Sequence, residues 1–160
     1  MTVIYPGSFD PFTLGHLDIV IRALGMFDRV VIVVMSNPEK HTSRTVEQKI
    51  EIIERSVNSF SDRIKIIDGT GKMAVDIAKE YDGIIVKGIR NATDFEYEKT
   101  QAKINRKFLN PPADTIFLPT HYETISSSAV RELVKYGRRD AWEKMVSAYV
   151  YDLIEKYYGN

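Results

Sequence analysis

The chain has 160 residues, its 22 basic side chains are balanced by 22 acidic ones, and 44% of its residues are hydrophobic. That composition excludes a disordered polymer, and zero net charge argues against a protein that lives by general attraction to nucleic acid or an anionic membrane. The absence of cysteine excludes a disulfide framework, cysteine-ligated zinc and a thiol nucleophile. The sequence shows neither the basic start and apolar run of a leader nor an apolar stretch approaching about 18 residues. The expectation is a soluble, cytoplasmic protein folded as a single domain over residues 1–160.

In chain order, Thr2–Tyr5 is a short apolar run ending at Pro6-Gly7 and reads as a strand that breaks into a loop. Leu17, Val20, Ile21 and Leu24 then recur at the spacing of one helical face. Val30–Met35 reads as a second buried strand, closed by Asn37-Pro38. Thr45-Val46-Glu47-Gln48 has the form of a capping box, and Val46, Ile50, Ile53 and Val57 continue it as a helix. A third strand is predicted at Ile64–Ile67, a third helix at Met73–Tyr81 and a fourth strand at Gly83–Val86. A mostly polar helix follows from Asp94 to Leu109, stopped by Pro111-Pro112, and Thr115–Leu118 is the fifth strand. Helices over Ser126–Tyr136 and Ala141–Tyr157 close the order, with Gly137 as a C-terminal cap.

Strands alternating with helices predict βαβ units, hence an α/β, doubly wound, mainly parallel five-stranded sheet. Such sheets bind ligands beyond the C-terminal ends of their strands. The loop after the first strand, Tyr5-Pro6-Gly7-Ser8-Phe9-Asp10-Pro11-Phe12-Thr13-Leu14-Gly15-His16, delivers His16 into an exposed first helical turn. A helix start offers free N–H groups and partial positive charge, so it favours phosphate. After the fourth strand, Lys87 and Arg90 flank Gly88-Ile89, and the stretch 87–107 carries six basic residues against three acidic ones. Lys99, Lys103, Arg106 and Lys107 recur at helical spacing and read as a solvated face or a subunit contact. Ser126-Ser127-Ser128 stands at another helix start, where serine is foremost a cap.

Two of these strings resemble the signatures of the nucleotidyltransferase superfamily: Thr13-Leu14-Gly15-His16, of the form (H/T)-x-G-H, and Ile125-Ser126-Ser127-Ser128-Ala129-Val130-Arg131. With Gly88-Ile89-Arg90 and Asp94-Phe95-Glu96-Tyr97-Glu98 in order, the chain is most similar to the bacterial phosphopantetheine adenylyltransferase family. The resemblance implies a Rossmann-like nucleotidyltransferase fold and a reaction in which ATP and 4′-phosphopantetheine give dephospho-coenzyme A and pyrophosphate. One phosphate would attack the α-phosphorus of ATP in line, with no covalent intermediate, so the protein's task is positioning and charge stabilisation. By the same resemblance His16 is catalytic and stabilises the transition state. ATP would be bound by Ser8, Phe9, His16, Gly88, Ile89, Arg90, Glu98 and the wall Tyr122, Glu123, Thr124, Ile125, Ser126, Ser127 and Ser128, with Arg131 one turn on. The acceptor would be bound by Ser8, Lys40, Met73 and Lys87.

On spacing alone Lys40 is a surface charge and Met73 a core filler; the resemblance alone assigns them to substrate. Lys87 stands where the family commonly has arginine, so the acceptor contact keeps its charge and loses a bidentate fork. The resemblance also implies a homohexamer and possible feedback binding of coenzyme A. The partners expected are small molecules, with no nucleic acid and no membrane. Mg²⁺ is expected as a cofactor carried mainly by the ATP phosphates, with no protein-built metal site. Gly69-Thr70-Gly71-Lys72 imitates a phosphate loop but lacks its first glycine and its final hydroxyl, since Ile66 and Met73 occupy those places. Two other readings stay open at this point: a nucleotidyltransferase with a different phosphorylated acceptor, and a silent nucleotide-binding regulator.

Overall fold

A computed structural model describes residues 1–36, 44–110 and 112–159. Among the described residues five strands form one parallel sheet: β1 (Thr2–Gly7), β2 (Arg29–Val34), β3 (Ile64–Asp68), β4 (Gly83–Ile89) and β5 (Thr115–Pro119). Their order is β3-β2-β1-β4-β5, the doubly wound arrangement expected from the alternation of elements. The helices are α1 (Leu14–Met26), α2 (Val46–Val57), α3 (Ala74–Glu80), α4 (Ala92–Lys107), α5 (Ser127–Lys135), α6 (Arg139–Trp142) and α7 (Tyr151–Tyr158).

The inner strands form from short runs rich in Val and Ile, as in β2 (RVVIVV), which can be covered on both faces. Val3, Tyr5, Val30, Ile32 and Val34 point into a core closed by α1, α2 and the C-terminal helices. Ile4, Val31, Val33 and Ile85 point the other way, toward α3 with its buried Val75, Ile77 and Ala78. β1 stays paired with β2 through Gly7↔Val34, but with β4 only through Ile4↔Ile85. Pro6, which has no N–H for the ladder, therefore stands where β1 has already parted from β4. That parting is the switch point of the sheet, and the loops after β1 and β4 run off it in opposite directions.

Helix ends follow local chemistry. Thr45 caps α2, with its Oγ1 accepting from Gln48 N–H at 3.2 Å and the Gln48 side chain accepting from Thr45 N–H at 3.0 Å. Gly137 sits at φ +67, and the pair Gly137 N–H→Val134 O and Arg138 N–H→Leu133 O closes α5 in a Schellman motif. Asn91 caps α4 by accepting from Asp94 N–H at 2.9 Å, which starts that helix two residues before Asp94.

The single C-terminal helix expected over Ala141–Tyr157 is instead two, α6 and α7, separated by an irregular segment and a 3₁₀ turn at Ala148–Val150. The physical reason is that the carbonyls between them are used elsewhere. Met145 O accepts from Leu14 N–H at 2.8 Å, and Glu143 O accepts from the Tyr151 hydroxyl at 2.8 Å. Ser147 is extended, and its Oγ accepts from Tyr149 N–H to start the 3₁₀ turn.

Candidate active site

A cleft of ≈ 740 Å³ opens at the parting of β1 and β4. Its wall is drawn from the β1–α1 loop, the β4–α4 connection and the start of α5, three segments far apart in sequence. Twelve of the residues singled out from sequence meet there: Ser8, Phe9, His16, Lys87, Gly88, Arg90, Glu98, Tyr122, Ile125, Ser126, Ser127 and Ser128. Ile89, Glu123, Thr124 and Met73 do not line it. Met73 precedes α3 and is 52% exposed, so core filling does not describe it. Lys40 lies outside the described residues. The Gly69–Lys72 turn is also away from the cleft, built on Asp68 Oδ1 accepting from Thr70 N–H.

The β1–α1 loop is held in an unusual path. Phe9 adopts φ +45, a left-handed conformation that costs free energy for a bulky residue. The conformation persists because the ring is buried, edge-on to Tyr5 at 5.2 Å and to His16 at 5.1 Å between centroids. A Cβ on Gly7 would stand 2.7 Å from the Phe9 ring, so only glycine admits that ring. Gly88 is constrained in the same way, because a Cβ there would come within 2.9 Å of Ile19 Cγ1.

His16 is not the exposed side chain expected of a first helical turn. It is partly buried, packed on Phe9 and on Phe12 at 5.4 Å, and it completes the cap of α1. Thr13 Oγ1 accepts from His16 N–H, while Thr13 N–H donates to His16 Nδ1 at 3.0 Å. Nδ1 is thereby the acceptor nitrogen, and the ring proton belongs to Nε2. Burial, helped by the Arg90 charge, lowers the imidazole pKa from 6.5 to about 4. The ring is therefore neutral at pH 7 and presents one fixed N–H donor.

The helix starts are partly spoken for. In α1, Leu14 N–H goes to Met145 O and His16 N–H to Thr13 Oγ1, leaving Gly15 N–H on the cleft wall. In α5, Ser126 Oγ caps by accepting from Ala129 N–H at 3.1 Å, and Ser128 Oγ lies 3.2 Å from Ser126 Oγ. The Ser127 hydroxyl donates to Pro11 O at 2.8 Å, so what Ser127 offers an anion is its backbone N–H.

Three cations, Lys87, Arg90 and Arg131, and two carboxylates, Asp94 and Glu98, reach the cleft. Lys87 Nζ pairs with Glu98 at 3.3 Å, joining the side chains expected on the acceptor and nucleotide sides. Arg90 Nε pairs with Asp94 at 3.0 Å, which aims the guanidinium along the start of α4. Tyr5, Thr13, Thr93, Asp94, Tyr97 and Thr120 also line the wall and were not assigned from sequence. Thr120, directly after β5, and Tyr5, at the end of β1, carried a positional signal: they sit at C-terminal strand ends. Among the described residues no group of three or more His, Asp or Glu side chains is gathered as for a metal ion.

A parallel sheet with an anion-accepting helix start and a fixed imidazole at its switch point defines a protein of the nucleotidyltransferase class. A family model described as cytidylyltransferase-like matches residues 4–133. The phosphopantetheine adenylyltransferase of Alkaliphilus metalliredigens is 43% identical over 83% of this chain and 85% of its own. That of Synechococcus sp. (strain CC9311) is 37% identical over 100% of this chain and 99% of its own. The chain belongs to the phosphopantetheine adenylyltransferase family. The fold is shared more widely: the nicotinic acid mononucleotide adenylyltransferase of Plasmodium falciparum, solved with NaAD, superposes with a TM-score of 0.68 at 18% identity. That superposition covers 98% of this chain and 95% of the other.

Proposed function

We propose that this chain transfers the adenylyl group of ATP to 4′-phosphopantetheine, releasing pyrophosphate and forming dephospho-coenzyme A. The observation that carries the reading is the single N–H donor of a neutral His16 held in the same cleft as the first turn of α5. In this reading the β- and γ-phosphates lie on the Ser127 and Ser128 N–H groups, and the α-phosphate lies against His16 Nε2. Arg90 and Gly88 serve the nucleotide, as does Glu98, while Tyr122, Ile125, Ser126, Ser127 and Ser128 form its outer wall. The acceptor phosphate is taken by Lys87 and Ser8, with Phe9 contributing backbone and Lys40 the second cation.

An oxygen of the acceptor phosphate attacks the α-phosphorus, and the bond to the pyrophosphate oxygen breaks on the opposite side. As charge spreads over the equatorial oxygens, the His16 donor gains strength without having to reorient. No side chain becomes covalently attached. When bound, Mg²⁺ would supply charge neutralisation on the triphosphate and be carried mainly by its phosphates; Asp94 and Glu98, each paired with a cation, are the carboxylates of the wall that could hold it.

The proposal extends to a homohexamer in the cytoplasm, with coenzyme A competing at the same cleft. Support for assembly comes from α4, which has no buried residue yet carries exposed Phe95, Tyr97 and Ile104, with Phe108 71% exposed just beyond it. Among the described residues no helix is long and apolar enough to cross a membrane. Pyrophosphate release, measured with ATP and a panel of phosphorylated acceptors, tests the reading. Turnover should require 4′-phosphopantetheine; preference for another acceptor would reassign the substrate, and no turnover with any would reject the activity. Light scattering tests the assembly separately.

A further inference from the structure

Behind the wall of the cleft lies a polar cluster centred on Asp10, a carboxylate that the reaction just described does not use. The Tyr158 hydroxyl, from the last turn of α7, donates to Asp10 Oδ1 at 2.6 Å across 148 residues of chain. Tyr158 is only 6% exposed, and the Arg44 guanidinium lies 4.5 Å above its ring centre. Burial and the Asp10 carboxylate push its phenol up, so it remains a neutral donor. Arg131 donates to the backbone carbonyl of Asp10, and Ser127 to that of Pro11.

Lys49 of α2 completes the cluster. Its side chain is fully buried, and among the described residues its Nζ has no hydrogen-bond partner. A buried ammonium is costly unless a counter-charge faces it. Burial lowers the Lys49 pKa; the Asp10 carboxylate opposes that loss of the proton, and the Arg131 charge adds to it. One carboxylate at the turn of the β1–α1 loop is thus gripped from α7 by a hydrogen bond and drawn from α2 by charge. Phe9, the residue before Asp10, is the strained one whose ring supports the His16 imidazole.

We propose that Tyr158 and Lys49 are positioning residues for the adenylyl transfer, setting the place of His16 through the Asp10 carboxylate. This rests on the reading of His16 as the donor to the α-phosphate. Neither side chain lines the cleft, so neither touches substrate, and their effect must appear in the transition state rather than in binding. A loop misplaced by a fraction of an ångström is enough, since a displacement of about 1 Å costs on the order of 10²-fold in rate.

The test uses the full chain. Tyr158→Phe should keep both KM values within about twofold and lower kcat by about 10- to 100-fold. Asp10→Asn keeps an oxygen for the Tyr158 hydroxyl but removes the counter-charge of Lys49, and should show the same split. In the double variant the two losses should not multiply, because both act through one carboxylate. A readout independent of turnover is the ring resonances of His16, which lie against Phe9 and Phe12 and should move in Tyr158→Phe. A Tyr158→Phe enzyme with kcat within twofold of the parent, or losses that multiply in the double variant, would overturn the proposal. Should Tyr158→Phe not fold, Lys49→Met gives the same decision: a kcat within twofold of the parent rejects it, and a selective fall in kcat supports it. If the parent chain turns over no acceptor, the functional reading fails, while the His16 resonances still decide whether the anchor positions the ring.

Discussion

His16 has two jobs, and replacing it by alanine or by glutamine should separate them. As the third residue of α1 it closes the cap by accepting from Thr13 N–H. Alanine leaves that part-buried N–H without its acceptor and removes the ring from between Phe9 and Phe12. An unmet buried donor costs about 1–3 kcal/mol, and each lost aromatic contact about 0.5–1.5 kcal/mol. His16→Ala should therefore unfold about 2–6 kcal/mol more easily than the parent in urea at pH 7. Glutamine at this place completes the ordinary Thr-x-x-Gln capping box and should recover much of that loss. Neither variant keeps the imidazole N–H, so both should lose about 10²–10³ in kcat, equivalent to about 3–4 kcal/mol. Stability and rate would then part company in the glutamine variant.

A pH arm sharpens the same experiment. The His16 pKa falls from 6.5 unfolded to about 4 folded, so between those values the unfolded chain binds more protons. This contribution to stability is fully present above pH 6.5, is lost as the pH falls, and is gone below about 4. At about 1.4 kcal/mol per pH unit, the parent should lose about 2–3 kcal/mol by pH 4.5 relative to pH 7 through this group alone. Carboxylates titrate in both proteins and cancel in the difference between parent and His16→Gln. The difference between their urea-derived stabilities should therefore move by that amount in favour of His16→Gln on acidification. A gap independent of pH would refute the buried neutral imidazole, and so would a limb near pH 6.5 in the kcat profile that vanishes in the variant.

Other outcomes follow from the wall of the cleft. Lys87→Ala should raise the acceptor KM by about 10–150-fold with little change for ATP, and Lys87→Arg should retain activity; steady-state kinetics with each substrate varied decides it, and a rise confined to ATP would move Lys87 to the nucleotide side. Ser128→Ala should weaken ATP in calorimetry and leave the acceptor alone, whereas Ser127→Ala should lower kcat about fivefold by releasing the Pro11 carbonyl; an equal effect of Ser128→Ala on both ligands would remove its hydroxyl from the nucleotide side. Gly7→Ala places a methyl 2.7 Å from the Phe9 ring and should cost about 1–3 kcal/mol in thermal unfolding; an unchanged melting temperature would show that the ring is free to move.

Legibility in the sequence followed the range of the forces. The strands at Val30, Ile64, Gly83 and Thr115 were readable because each is a local run that the ladder extends by at most a few residues. β1 continues past Tyr5 because β2 offers Val33 and Val34 as partners, which no local pattern states. The break between α6 and α7 was invisible because it depends on a carbonyl at Met145 serving an N–H at Leu14. At the site, Ser8, His16, Arg90 and the serine triplet stood in recognisable strings and do meet. Burial of His16 was missed, because the two phenylalanines that enclose it sit in a loop whose path only Gly7 and the strained Phe9 define.

Four long-range ties on the β1–α1 loop come from late in the chain: Ser127, Arg131, Met145 and Tyr158 each bond to a residue between Asp10 and Leu14. Contacts of such separation are entropically slow to form, and they cannot reward the chain until the sheet has brought its parts together. Catalytic competence should therefore lag behind secondary structure during refolding. The amides of β2 and β3, paired by neighbouring segments, would gain hydrogen-exchange protection first, and the loop that holds His16 would be the last part of the molecule to become native.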